Sequence, residues 1–424
     1  MTGSYRGNPV TLSRSFWEQT MIRLAATFVL VFAVAAPAQY VSSDTFTRYE
    51  LLAPDSHQFK IYYEVTEVRA GARFHFNVIR EGSEVSDESV LDLATGKPLK
   101  FEIVSGAAAK AEVPEESFNP AGKYIKVFLA HPVPARGEYR LAIVKTYKDD
   151  KSYFRDGGSV VFKRSLSIPR DSVVLPAGYE VVSCSVAAQV LPESDGRLKL
   201  AFINAGSGGA LEVTINARPR PAGTKTDAAR QAAASNPLLS ERAYQDREIL
   251  YELQAPESHA FRIAHDYTAR QPGEAYYFNV VRAGSHVSDP ESIDLDSGEN
   301  LKWEILSGKQ VRERDLPLTE PAQDDSEVVV THLSRPVAPG TTNRIRLKET
   351  YADSKSLYLD GRELVWDRAF GRPRNMVVLP PGWYLTALGT PATIQTFPDG
   401  RVSVYVLNPR NDDIRVYLRA RRRQ

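Results

Sequence analysis

The sequence predicts an all-β protein: two tandem homologous β-sandwich domains joined by a partly helical linker. Three observations carry this prediction. First, one stretch occurs twice, as FNVIREGSEVSDESVLDLATGKPLKFEIVSG at 76–106 and FNVVRAGSHVSDPESIDLDSGENLKWEILSG at 278–308, with 18 of 31 positions identical at an offset of 202. Second, within each copy apolar residues alternate with polar ones, the period-two pattern of a strand with one buried face. Third, Asp-Gly pairs at 156–157, 195–196, 360–361 and 399–400 punctuate the runs. Gly there accepts the positive φ that a hairpin turn needs.

The duplication reaches well beyond its best stretch. Tyr49-Glu50-Leu51 is matched by Tyr251-Glu252-Leu253, KTYKDDKS at 145–152 by ETYADSKS at 349–356, and VVLPAGYEV at 173–181 by VVLPPGWYL at 377–385. The units are 46–219 and 248–423, a period long enough for a domain duplication and too long for a solenoid. A chain of 424 residues also exceeds one ordinary core at roughly 100–200 residues per domain.

Each element follows from the alternation. In the first unit Phe59, Ile61, Tyr63 and Val65 alternate with polar neighbours, as do Phe74, Phe76 and Val78 and then Leu99, Phe101 and Ile103. Ile125, Val127 and Leu129 follow, then Tyr139, Leu141 and Ile143, then Leu198, Leu200 and Phe202, and finally Leu211, Val213 and Ile215. No long helical period interrupts either unit. In the second unit Phe101 becomes Trp303, Phe162 becomes Trp366 and Tyr179 becomes Trp383. Aromatic-for-aromatic exchange at inward positions is what core packing demands.

Between the units, 220–247 differs in kind. PAGTKT at 221–226 is turn-rich, Asp227 to Ala234 is Ala-rich and reads as a short helix, and Pro237 interrupts it. At the other end, 1–38 reads as a signal peptide region with its true start at Met21. Met21-Ile22-Arg23 is basic, Leu24 to Ala35 is apolar, and Ala36-Pro37-Ala38 supplies the small residues of a cleavage site. The apolar run falls short of the about 20 residues of a membrane span, so the mature chain is expected to carry no stable transmembrane span. The expected location is outside the cytoplasm: periplasmic, cell-envelope or secreted.

Composition narrows the function classes. A formal net charge of +1 offers no global field for nucleic acid. The single cysteine, Cys184, has no partner for an intramolecular disulfide and reads as an inert thiol. The seven histidines form no HExxH pair, and the repeated His57 and His259 read as turn or strand-edge residues. A G-x-S-x-G elbow and phosphate-binding glycine motifs are absent from the sequence. Hydrolysis of a glycan would need two facing carboxylates, which spacing alone does not reveal. No cofactor is expected.

The polar residues kept in both copies are the candidate binding residues: Asp87 and Asp289 in G-S-x-V-S-D loops, Tyr147 with Tyr351, and Lys151 with Lys355, the last followed by Ser152 and Ser356. Asp and Ser in loops commonly satisfy backbone N–H groups, so a structural role competes at each. One weak calcium candidate stands out. Asp294, Asp296 and Glu299 surround Gly298 and would offer hard oxygen ligands, but the first copy reads Asp92-Leu93-Ala94-Thr95-Gly96-Lys97 and lacks two of the three. The basic tail Arg419, Arg421, Arg422 and Arg423 reads as a strand exit.

At 125–147, IKVFLAHPVPARGEYRLAIVKTY resembles the N-terminal β domain of the zinc aminopeptidases, which carry a strand, a Gly-containing turn and a strand ending near Tyr. The catalytic domain of that family, with its HExxH, has no counterpart, so the resemblance implies an accessory β module and transfers no catalytic residue. The full repeat, with its VVLP-x-G-[YW] run, also resembles exported bacterial proteins. The expected function is therefore an exported, non-catalytic binding or assembly module of the cell envelope, with an envelope protein or polysaccharide as partner. Two alternatives are an extracytoplasmic hydrolase acting on peptide or glycan, and a detached accessory domain of a peptidase system.

Overall fold

The computed structural model describes residues 45–204, 209–221, 248–408 and 413–423. The leader read at 1–38 and nearly all of the 220–247 linker lie outside them. Among the described residues the first copy contains β1 (Thr45–Leu51), β2 (Gln58–Glu67), β3 (Phe74–Ile79), β4 (Glu84–Asp92), β5 (Phe101–Ser105), β6 (Lys123–Phe128), β7 (Tyr139–Lys148), β8 (Tyr153–Asp156), β9 (Ser159–Leu166), β10 (Arg170–Val174), β11 (Tyr179–Cys184), β12 (Gln189–Pro192), β13 (Leu198–Ile203) and β14 (Leu211–Pro219). The second copy contains β15 (Glu248–Leu253), β16 (Ala260–Ala269), β17 (Tyr276–Val280), β18 (His286–Asp294), β19 (Trp303–Ser307), β20 (Glu327–His332), β21 (Asn343–Ala352), β22 (Leu357–Asp360), β23 (Glu363–Phe370), β24 (Arg374–Val378), β25 (Trp383–Leu388), β26 (Thr393–Thr396), β27 (Val402–Leu407) and β28 (Ile414–Arg422).

The two copies share one topology. The first forms a seven-stranded sheet in the order β12-β13-β10-β1-β2-β7-β4, a four-stranded sheet β11-β14-β9-β8 and a three-stranded sheet β3-β6-β5. The second forms β26-β27-β24-β15-β16-β21-β18, β25-β28-β23-β22 and β17-β20-β19, each strand in its counterpart's place. The β1–β10 and β15–β24 pairs are parallel, and every other ladder among the described residues is antiparallel.

One face of the seven-stranded sheet carries both smaller sheets, as alternation requires. Tyr49, Phe59, Ile61, Lys145 and Tyr147 share that inner face through the registers of β1, β2 and β7. Phe162 of the four-stranded sheet meets Tyr49 and Phe59 at ring distances of 5.5 and 5.6 Å. Asn77 of the three-stranded sheet reaches Lys145 on the same face. Each copy is thus an all-β sandwich with one large sheet covered by two small ones over a main core, and the second copy adds a small cluster of Leu306, Val311, Val328 and Val330. The opposite, outer face carries Tyr62, Glu64, Thr66, Arg140 and Ala142.

Three sequence expectations change. Two short helices, α1 (Gly106–Glu112) and α2 (Gly308–Glu313), follow β5 and β19. They are too brief to show a helical period, but each starts at a serine whose Oγ accepts a backbone N–H, from Ala108 in one and Gln310 in the other. Trp366 and Trp383 are buried as expected, whereas Trp303 is 39% exposed because it stands on the edge strand β19. Cys184 is half-buried on β11.

A polar node in each copy explains much of what is duplicated. Asp353 Oδ1 accepts the backbone N–H groups of Lys355 and Ser356, while Oδ2 accepts from Ser356 Oγ, Ser285 Oγ and Arg368 Nη1 at 2.6, 2.9 and 3.0 Å. Asp149, Ser152, Ser83 and Arg164 repeat the pattern. The arginine comes from the four-stranded sheet, and its Cζ lies 5.1 and 5.6 Å from the Phe261 and Tyr351 rings in the second copy. Burial alone would raise the Asp353 carboxyl, but bonds from Ser356 and Ser285 and the charge of Arg368 hold it below its usual range.

Asp353→Ala would leave a buried guanidinium without its carboxylate, with an expected loss of about 3–5 kcal/mol read from urea unfolding. Adding Arg368→Met should recover part of it, and a loss below about 1 kcal/mol would remove the node from the framework. Separately, fragments 39–220 and 248–424 each hold a full strand set and are expected to fold alone, giving cooperative melts with β-sheet circular dichroism. A fragment that stays unfolded would count against independent cores.

Candidate functional site

The duplicated polar residues take up separate positions. Asp87 and Asp289 are exposed and sit at φ of 55° and 51° inside β-bulges, where the register of β4 on β7 and of β18 on β21 shifts. A short polar side chain tolerates this left-handed backbone better than most. Tyr147 and Tyr351 are buried in the cores, with hydroxyls accepting from Arg80 N and Asn279 Nδ2. Lys151 and Lys355 are exposed in the turn after the node aspartate, to which their backbone N–H groups donate. The six therefore do not meet at one point. His57 and His259 close short 3-10 turns at φ of 54° and 53°, with Nδ1 at 3.0 Å from Tyr153 O and 2.8 Å from Leu357 O.

The calcium candidates are not gathered round a common point either. Asp294 Oδ1 accepts from the backbone of Asp296 and Ser297, the same Asx turn that Asp92 forms with Ala94 and Thr95. Asp296 turns to Arg140 instead, accepting from its Nε and Nη2 at 2.9–3.1 Å. Among the described residues no three His, Cys, Asp or Glu stand together in a metal-holding arrangement.

That Arg140–Asp296 pair belongs to a seam between the copies, built from the outer faces of the two large sheets and the turns beside them. The seam has approximate twofold symmetry. Thr342 N donates to Ala94 O, and Glu138 N, its counterpart, donates to Leu295 O. Glycines make the approach possible: a Cβ on Gly96 would run into Gly340 O, one on Gly298 would press on the Pro134 ring, and one on Gly137 would strike Leu295 O. Buried charges tie the contact. Arg344 Nε stands 3.4 Å from Glu138, and Arg136 bonds Glu291 and Asn300 at the rim. Burial pushes the Glu138 carboxyl up to about 7 against the pull of Arg344.

The symmetry breaks at one place, and there a cavity of about 270 Å³ opens. Its lining includes Tyr62, Glu64, Arg140 and Arg170 from the first copy and Arg270, Thr342 and Arg344 from the second. One difference beside it is a register position on the two outer faces. On the second copy's sheet Asp266 faces Arg346, which donates to it twice at 2.6 and 2.7 Å and fills the space. On the first copy's sheet the same pair is Glu64 and Ala142. The guanidinium is missing, and Glu64 receives the Tyr62 hydroxyl at 3.1 Å. Burial and the charge of Glu64 push the Tyr62 phenol up, so it stays a neutral donor. Opposite, Gly340 and Thr342 stand where the first copy has Arg136 and Glu138, again smaller groups.

Arg140 and Arg170 recur in the second copy as Arg344 and Arg374, so repetition alone does not single out the cavity. The asymmetry shows as changes of charge or size at aligned positions: Ala142 against Arg346 on a strand, Ala94 against Asp296 in a turn, and Glu138 against Thr342 just before a strand.

No protein-family model matches the chain, and no curated protein matches it. Among solved structures it is similar to a two-domain M1 zinc metallopeptidase, with 14% identity over 48% of this chain and 54% of that one and a TM-score of 0.28. It is similar to the M1 zinc metallopeptidase of Deinococcus radiodurans at 12% identity, covering 42% and 43%, with a TM-score of 0.28. A collagen adhesin from S. aureus matches at 7% identity over 76% and 84%, with a TM-score of 0.16. The chain spans about half or less of the length of these metallopeptidases.

Two buried groups of opposite sign occupy equivalent positions beneath the three-stranded sheets. Burial lowers Lys145, bonded to Asn77 Oδ1, to about 7, and raises Glu349, bonded by Asn279 Nδ2, to about 8. Burial likewise raises Asp171 to about 8, where the second copy carries Asn375. The stability that neutral Lys145 permits is complete above its unfolded value near 10.5 and is lost as pH falls through 7. That of neutral Glu349 is complete below 4.5 and is lost as pH rises through 8. In thermal melts from pH 5 to pH 9, Lys145→Met should remove a rise in stability between pH 7 and pH 9, and Glu349→Gln and Asp171→Asn a fall between pH 5 and pH 8. Unchanged slopes in all three would refute the assignment.

Proposed function

We propose that this chain is an exported, non-catalytic binding module of the cell envelope, with its ligand held at the seam between its two copies. One observation carries the reading. Four guanidiniums and one carboxylate, drawn from both copies, converge on the seam cavity, whereas the node aspartates and serines serve turns and the buried framework. A cleft lined by a few convergent polar groups is the usual form of a binding site. The outer faces supply arginine, whose planar fork suits recognition of acidic groups.

The test is cosedimentation of the full chain with insoluble cell-wall material. Saturable retention without release of soluble fragments is expected. Steady release of fragments would favour the alternative, an extracytoplasmic hydrolase. Absence of retention over a wide concentration range would remove the envelope reading. An accessory role beside a peptidase would show instead as retention only when that enzyme is present.

A further inference from the structure

We infer that the seam cavity binds a small polar acid: a molecule with an oxyanion at one end and a hydroxyl or ammonium donor at the other. This deepens the binding reading above and rests on it. Four guanidiniums, Arg140, Arg170, Arg270 and Arg344, line a space that also holds one carboxylate, Glu64. Arg140 faces Asp296 and donates to Thr342 Oγ1, and Arg344 faces Glu138 and donates to Thr268 Oγ1. A guanidinium carries five donors in a fixed fork, so pairing with one carboxylate leaves it able to hold a second acceptor. Arg140, Arg170 and Arg344 are at least nine-tenths buried, so their field acts where water screens poorly.

The opposite end of the ligand is specified by Glu64. Its counterpart, Asp266, takes a guanidinium from Arg346, while Glu64 lies on the cavity wall, faces Ala142 in the register and accepts the Tyr62 hydroxyl. A hydroxyl or ammonium group placed there would stand where the second copy puts the Arg346 head group. About 270 Å³ admits one sugar ring or one amino acid, so a polymer would enter it only by a single terminal unit. The ligand class is therefore a sugar acid or an amino acid, which share the oxyanion-plus-donor pattern.

The same comparison supplies the test. Ala142→Arg transplants the second copy's own residue and should close the cavity by pairing with Glu64. Thr342→Glu transplants the first copy's Glu138 and puts a fixed carboxylate on the wall. Titration calorimetry of the full chain would use D-glucuronate, L-glutamate, inorganic sulfate and neutral glucose. Saturable binding of glucuronate or glutamate is expected, weakened at least tenfold by either substitution and by raised salt, with none for glucose. Which of the two acids binds separates a sugar acid from an amino acid. Binding of sulfate alone would overturn the inference, since it would leave Glu64 without a role. Absence of binding by any acid, or equal binding by both variants, would overturn it too. Failure here with cell-wall retention intact moves the site to another surface. Acid binding without retention keeps the cavity and removes the envelope reading.

Discussion

Each half of this protein is organised around a carboxylate that has been taken out of water and given every partner it needs. Asp149 and Asp353 follow directly on β7 and β21, yet they hold a turn, a serine from a distant loop and an arginine from the opposing sheet. A buried charge pair of this kind contributes little net energy when intact and costs much when broken. Its effect is therefore one of selection: it admits one register between sheets. That accounts for the survival of K-S, G-S and Y in both copies while much of the intervening surface has drifted.

Freed from that constraint, the outer faces of the large sheets could diverge, and they did so where the copies touch. The seam keeps its glycines and its backbone bonds, which any side chains could tolerate around them. Its charges have been redistributed. Arg140 and Arg344 occupy equivalent strands, yet one takes its carboxylate from a turn and the other from a strand approach, Asp296 and Glu138. Differences such as Thr342 against Glu138 and Arg270 against Val68 make the two sides of the contact unequal, and the cavity lies on one of them.

The strands were legible because alternation and turn chemistry are local. Phe59, Ile61 and Tyr63 read inward, and they are. Trp303 misled because alternation assigns a face but says nothing of whether that face is covered, and β19 lies at an edge. The helices after Ser105 and Ser307 escaped because about two turns are too few for periodicity to register. The seam was not legible at all. Arg140 and Asp296 are 156 positions apart, and their pairing depends on how two finished sandwiches meet. The node is the same in both copies, whereas the cavity combines shared arginines with positions that changed, Thr342 against Glu138 among them.

The broken symmetry of the seam has a numerical consequence. A duplicated chain invites the assumption of two equivalent receptors working by avidity, yet the relation between Glu64 with Ala142 and Asp266 with Arg346 makes the halves complementary instead of equivalent. A ligand bound at the seam would saturate at one equivalent per polypeptide, because both copies supply the wall of the same cavity.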